Sequence, residues 1–314
     1  MPQIPATGTL IGIVTYNPDL SVFEALLERV SGQDCDVVVY DNASDNLDSI
    51  IGMSERNLSC SVVAGQANIG ISGAANAIFG IAVQRNKEFV LLFDQDSIPS
   101  KSYAKTLISA YRELCGQGVN VAALGGIHTC RFTNQSQPLI QFGKWKPTKL
   151  LPEECEGSVP VDFLITSGTL IPVQSLKKIG GYDDQLFIDS VDLEWCSRAL
   201  ALGFQLFGVV DAKFTHEIGE GRSTIMGLPL VKTHSPIRTF YINRNILILS
   251  KREYVSMSWK INVILRASLK ILFFVFFDKA RYEHLKAIVA AARYQKNRKT
   301  LAEVNSEAVA GLSL

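Results

Sequence analysis

Short apolar runs rich in β-branched and aromatic residues alternate with helix-spaced segments through the first hundred residues, and no other feature constrains the fold as tightly. Residues 9–16, 36–40, 60–64 and 88–93 read as buried strands. Between them, residues 19–31 and 71–85 carry helical spacing; in the first, Val22, Leu26, Leu27 and Val30 share one face. Strand, helix, strand at this pitch predicts an α/β fold, a mostly parallel sheet flanked by crossover helices. Ligands of such sheets lie beyond the carboxyl ends of the strands, so the residues just after each strand are the first place to seek chemistry.

Four polar clusters fall there: Thr15, Tyr16 and Asn17; Asp41, Asn42 and Ser44; Asn68, Gly70, Gly73 and Asn76; and Asp94, Gln95 and Asp96. Turn chemistry accounts for any one of them, since Asn, Asp and Gly favour strand ends. Four at one edge of one sheet point to a site. Asp94 and Asp96 follow the apolar run 89–93, and a turn brings two such carboxylates around one cation. Hard, hydrated Mg²⁺ or Mn²⁺ is held by one or two carboxylates plus substrate phosphates, and it neutralises a departing diphosphate as a Lewis acid.

From 120 to 216 the pattern loosens into short strands at 121–124, 138–142, 159–165 and 204–210 around a helix at 190–202, with 146–158 read as a surface loop. Asp189, Asp192 and Cys196 would share one stripe of that helix, and Ser190, Glu194 and Arg198 another. Asp192, near the helix start, is the candidate to accept a proton from an incoming hydroxyl. Glu194 and Arg198 equally fit an ion pair that supports the helix. His216, after a short strand at 212–215, has three readings: a third metal ligand, a diphosphate contact, or a merely solvated loop histidine, the commoner case for a lone His.

Other chemistries fit poorly. No G-x-G-x-x-G and no basic glycine-rich loop follows the first strand, against a dinucleotide dehydrogenase and against a nucleotidyltransferase. The six cysteines include no C-x-x-C pair, so neither structural zinc nor a dense disulfide framework is expected. Residues 1–8 lack a basic start followed by a long apolar stretch, and the compartment is read as reducing cytosol.

Charge divides the chain in two. Residues 1–230 carry 16 Lys/Arg and 25 Asp/Glu, a balance of −9, whereas residues 231–300 carry 15 and 3, a balance of +12. After 230 the pattern turns helical, at 236–251, 255–277 and 279–298, so 1–230 is read as a catalytic domain and 231–314 as a helical extension. The run 261–277 is interrupted by Arg266 and Lys270, too charged to span a bilayer. With Lys260 these form a basic face set against Ile264, Ile271 and Val275, and Phe273, Phe274, Phe276 and Phe277 add apolar surface. An amphipathic helix lying on an anionic membrane surface is expected, with packing on the catalytic domain as the other reading. No nucleic-acid motif is apparent, and none is expected as a partner.

Read together, the segments Val14-Thr15-Tyr16-Asn17, Asp41-Asn42-Ala43-Ser44, Asn68-Ile69-Gly70, Asp94-Gln95-Asp96, Thr166-Ser167-Gly168-Thr169 and Asp192-Leu193-Glu194-Trp195 resemble, in order, family 2 glycosyltransferases. The wording around Asp94 and Asp192, and the segment from Arg238 to Tyr241, Arg244 and Asn245, is similar to the bacterial rhamnosyltransferase branch. The resemblance implies a GT-A nucleotide-sugar-binding fold with a basic-amphipathic helical extension, and inverting, metal-dependent transfer. The donor would be dTDP-L-rhamnose and the acceptor a hydroxyl of a lipid-linked glycan in cell-surface polysaccharide (O-antigen) biosynthesis, at the cytoplasmic face of the membrane. Another donor such as a UDP-sugar, or a non-catalytic sugar-nucleotide-binding protein at the membrane, is the alternative. By the same resemblance Thr15, Tyr16, Asn17, Asp41, Asn68, Gly70, Asp94, Gln95 and Arg244 would be on the donor side. Ser167, Gly168, Asp189, Glu194 and Trp195 would be on the acceptor side, Asp192 the base, and Asp94, Asp96 and His216 the ligands of Mg²⁺ or Mn²⁺.

Overall fold

A strand apolar on both faces must be covered on both sides, and β1 (Thr9–Thr15) is such a strand. Leu10 joins one hydrophobic cluster, while Ile11 and Ile13 join another on the opposite face. Gly12 lies where a Cβ would sit 2.4 Å from Ile78 Cγ2, so helix and sheet approach closely there. Parallel neighbours β2 (Asp36–Asp41) and β4 (Phe89–Asp94) flank β1, and β3 (Cys60–Ala64) lies beyond β2. The crossovers are α1 (Leu20–Ser31), α2 (Leu47–Ser54) and α3 (Gly70–Gln84). Asp19 caps α1 by accepting from the backbone N–H of Ser21 and Val22, and Phe23, Leu26 and Val30 bury the inner face. The computed structural model describes residues 8–56, 60–130, 135–216, 224–225, 228–229, 235–277 and 280–294, with backbone alone for 224–225, 228–229 and 272–277.

The sheet continues through β5 (Ser97–Pro99), β6 (Val121–Cys130), β9 (Ser158–Val161), β10 (Thr169–Pro172) and β11 (Gln205–His216), after a hairpin of β7 (Leu139–Phe142) and β8 (Pro147–Leu150). Its order is β3-β2-β1-β4-β10-β6-β11-β5, with β9 also on β11. β10 runs antiparallel between β4 and β6. α4 (Tyr103–Gly116) packs on the side of α1, whereas α3, α5 (Val173–Ile179) and α6 (Val191–Ala201) pack on the other.

Two expectations need correction. The segment 146–158 is not a plain loop, because it contributes β8 and a 3₁₀ turn at Pro152–Glu154. The strands expected at 204–210 and 212–215 are one element, β11, whose pairing with β6 shifts between Val209 and Lys213. That irregularity lets the strand carry His216 to the site.

The extension forms α7 (Pro236–Ser250), α8 (Met257–Phe277) and α9 (Arg281–Arg293), packed on one another. Residues 294–298 of the third expected helix fall beyond its end or outside the described residues, as do the boundary at 230 and the side chains of Val275, Phe273, Phe274, Phe276 and Phe277. Leu249 and Val255 enter the core cluster that contains α6. Of the basic face expected on α8, Arg266 is exposed, whereas Lys260 and Lys270 turn toward the protein. Lys260 Nζ donates to the Arg252 carbonyl at 2.7 Å, and Lys270 and Ile271 line a cavity against Ile242 and Ile246 of α7. Burial there pushes the Lys270 ammonium down, opposed by the charge of Asp189. Beside Arg266 and Ser268, α8 turns a set of apolar residues outward: Met257, Ile261, Ile264, Leu265 and Leu269 are each at least 43% exposed. Among the described residues, no helix is long and apolar enough to cross a membrane.

Candidate active site

The chain runs outward from β1 to β2 to β3, then returns to place β4 on the other side of β1, so a crevice opens between the carboxyl ends of β1 and β4. Tyr16 stands at its mouth, 50% exposed. Gln95 joins the two strand ends, its Oε1 accepting from the Tyr16 N–H at 2.7 Å and its Nε2 donating to the Tyr16 carbonyl at 3.3 Å. Asn17 is exposed, with φ 47°, and its backbone N–H donates to Ser44 Oγ at 2.8 Å. Asn42, a member of the second polar cluster, crosses the edge. Its Nδ2 donates to Asn68 Oδ1 at 3.0 Å, and its Oδ1 accepts from the Ile69 N–H at 2.9 Å.

Asp41 departs from its expected role. It is fully buried, accepting from Thr15 Oγ1 at 3.0 Å, from Ser44 Oγ at 2.5 Å and from the Ser44 N–H at 2.9 Å. Both oxygens are committed to shaping the loop, so neither Asp41 nor the buried Thr15 is presented to a base or ribose. Gly70 borders the crevice through its backbone: at φ 76°, a Cβ would lie 2.4 Å from the Phe187 carbonyl.

At the end of β4, one ligand atom each from Asp94, Asp96 and His216 lie within 4.8 Å of one another. The antiparallel pairing of β5 with β11 brings His216 there, opposite Ser97. His216 Nδ1 is 3.2 Å from Asp96 Oδ1 and 2.9 Å from Ser97 Oγ. Behind the acids, Ser97 and Ser167 share a hydrogen bond of 2.6 Å, and Ser167 Oγ accepts from the Asp94 N–H at 3.0 Å. Ser167 is thus a buried support of the acidic pair rather than an acceptor contact. Gly168 is structural too, with φ 75° and its carbonyl accepting from Tyr103 Oη at 2.6 Å. Burial pushes the Asp94 carboxyl up to about 6, with His216 opposing the shift and Asp96 adding to it.

Asp192 lies in the first turn of α6, where its Oδ1 accepts from the Leu193 N–H at 2.8 Å. Burial pushes its carboxyl up to about 7; the helix N–H lowers it, and the charges of Asp189 and Asp94 raise it further. Asp192 is therefore near enough to Asp94 for that charge to act on it. Asp189 does not continue the α6 stripe, because it precedes the helix with φ 64°; it pairs with Arg238 through two contacts of 3.1 Å.

Glu194 and Trp195 are not acceptor-side residues. Glu194 is fully buried, bonded to Arg198 at 2.9 and 3.0 Å, to Arg252 at 3.1 Å and to Tyr254 Oη at 2.6 Å. Trp195 is 2% exposed, its Nε1 donating to the Gly180 carbonyl at 2.8 Å. A carboxylate this deep needs its cations, and the ion-pair reading of Glu194 and Arg198 is the one observed. Arg244 also departs from a donor role: its guanidinium donates to the carbonyls of Gln185 at 2.6 Å and Leu186 at 2.8 Å.

An acidic pair closing a central strand of this sheet, with a further acid at the start of a separate helix, defines a glycosyltransferase of the GT-A fold. Residues 10–179 match glycosyl transferase family 2, and the chain belongs to that family. It is 29% identical over 283 residues to the dTDP-rhamnosyl transferase RfbF of Shigella flexneri, covering 89% of this chain and 92% of that one. Among solved structures it is similar to S. aureus TarS 1–349 in complex with UDP-GlcNAc (TM-score 0.56, 16% identity, 97% of this chain and 89% of that one). Of a longer TarS chain it spans about half, 49%. It is also similar to GalNAc-T7 with UDP, GalNAc and Mn²⁺ (TM-score 0.54, 13% identity, 95% of this chain and 56% of that one).

Proposed function

We propose that this chain is an inverting, divalent-cation-dependent rhamnosyltransferase that moves the sugar of dTDP-L-rhamnose to a hydroxyl of a lipid-linked glycan in cell-surface polysaccharide synthesis. The observation that carries this reading is the grouping of Asp94, Asp96 and His216, with Asp192 near enough for the charge of Asp94 to act on it. Similarity to RfbF supports the choice of donor. Two carboxylates and an imidazole suit Mg²⁺ or Mn²⁺, and bound there such an ion would draw charge from the departing diphosphate. Tyr16, Asn17 and Asn68 would edge the nucleotide, with Gln95 fixing the β1 loop against β4. Asp192 would take the proton from the acceptor hydroxyl as that oxygen bonds to the anomeric carbon and the bond from that carbon to the diphosphate oxygen breaks. One displacement of this kind inverts the anomeric centre and needs no protein nucleophile.

Calorimetric titration with dTDP-L-rhamnose, UDP-GlcNAc and GDP-mannose, with and without Mn²⁺, tests the donor. The dTDP sugar should bind at least about tenfold more tightly than the others, and only with the cation. Preference for UDP-GlcNAc would replace the donor, and no binding of any nucleotide sugar would overturn the reading.

The outward apolar face of α8 supports a membrane-surface location. Met257, Ile261, Ile264, Leu265 and Leu269 follow helical spacing on one side, the pattern of a helix lying in the interface. Replacing Ile264, Leu265 and Leu269 together by Ser should weaken binding to phosphatidylglycerol-containing vesicles by roughly tenfold or more. Unchanged vesicle binding in a sedimentation assay would remove this face from the membrane role.

A further inference from the structure

The turn that delivers Asp192 is unusual in its backbone. Phe187, Asp189 and Ser190 have φ of 62°, 64° and 63°, a left-handed region that non-glycine residues rarely adopt and that persists only where surroundings enforce it. The enforcement comes from α7. The Asn245 side chain is fully buried, and its Nδ2 donates toward three carbonyls, Leu186 at 2.9 Å, Ile188 at 2.7 Å and Asp189 at 2.8 Å. Its Oδ1 accepts from Arg244 Nε at 3.0 Å and Nη2 at 2.9 Å. Carbonyls on one side demand the NH₂ and a guanidinium on the other demands the oxygen, so the orientation of the amide is fixed by its partners. Arg244 in turn lies over Tyr241, whose ring stacks on Phe187 with centroids 4.8 Å apart. Phe187 is pressed against Gly70 on its other side, so the same contact links the turn to the start of α3.

We infer that Asn245, oriented by Arg244, is a positioning residue for sugar transfer: it locks the 186–190 turn into the one backbone path that aims Asp192 into the crevice. This rests on the reading above, in which Asp192 is the base. The helical extension then completes the catalytic constellation in addition to any surface role.

Asn245→Asp tests it. The substitution keeps shape and still suits Arg244, but it turns a carboxylate oxygen toward three carbonyls. The kcat for dTDP release from dTDP-L-rhamnose should fall about 10²-fold, because displacing a catalytic group by an ångström costs that much. Binding of dTDP with Mn²⁺ should stay within about twofold, the split expected of a lost transition-state interaction. The acid limb of the kcat–pH profile should also move to lower pH, as Asp192 leaves its buried place. Arg244→Lys, which cannot reproduce the fork, should give the same split at about tenfold and serves if Asn245→Asp does not fold. Asn243→Asp, two residues away on the same helix, where the native Nδ2 donates to the Thr239 carbonyl, should leave turnover unchanged. Wild-type kcat and pH profile in a folded Asn245→Asp or Arg244→Lys would overturn the inference, as would dTDP affinity falling in step with kcat. A wild-type protein that releases no dTDP, or an Asp192→Asn protein of full activity, would instead overturn the functional reading beneath it.

Discussion

Asp192→Asn is expected to lower the kcat of sugar transfer by roughly 10²–10⁴-fold while leaving dTDP binding within about twofold. The amide matches the carboxylate in size and still accepts from the Leu193 N–H, but it takes no proton from an acceptor hydroxyl. The protein should not be destabilised, since burial already disfavours the charge that the substitution removes. The sign of the wild-type pH dependence follows from the same burial. Below about 7 Asp192 is protonated and inactive as a base, so kcat/KM should fall tenfold per pH unit toward acid and level off above that pH. The limb should vanish with the residual activity of the variant. A near-normal turnover would move the base elsewhere, and Asp189, committed to Arg238, is poorly placed to inherit it.

Removal of divalent cation should abolish turnover, and Mn²⁺ should restore it. Asp94→Asn and Asp96→Asn should each weaken Mn²⁺ binding by about 10²-fold or more, measured by titration with dTDP present, because each removes a charged ligand from a set of three. Burial that holds Asp94 near 6 makes protons competitors of the cation, so Mn²⁺ affinity should decline as pH falls through that value. Ser167→Ala is the subtler variant: losing the hydroxyl behind the Asp94 N–H should cost about tenfold in the same titration. Full activity in chelator would end the case for a cation.

Much of this arrangement was legible before any coordinates, for identifiable reasons. β1, β2 and β4 are buried on two faces, β3 at the sheet edge is only half-buried, and all four read as continuous apolar runs whose ends match the expected limits to within one residue. Acids after a buried strand point where ligands bind, which is why Asp94 and Asp96 were legible as a pair; Asp192, in the first turn of α6, was legible only from its place at a helix start. α2 was invisible because it is eight residues long and buries little beyond Ile50 and Ser54. β11 read as two strands because Asp211 interrupts its apolar run at the irregularity beside Val209. Burial misled most. Asp41, Glu194 and Arg244 are polar residues in the right neighbourhood, yet each faces inward to partners that only the folded chain supplies. The role of Asn245 is not legible in the sequence, because its three carbonyl partners lie far back in the chain and side-chain spacing carries no trace of them.

The lopsided charge of the two halves acquires a concrete meaning in the contacts of Asp183 and Glu194. Both carboxylates belong to the acidic half, and both are matched below the surface by Arg252 of the basic half, as Asp189 is by Arg238 nearer the rim. Cutting the chain at the natural-looking seam near residue 230 would strand these anions in an apolar interior. A shortened version made for solubility would therefore begin its life misfolded, and the two halves are better regarded as counterions of a single body than as an enzyme with an anchor attached.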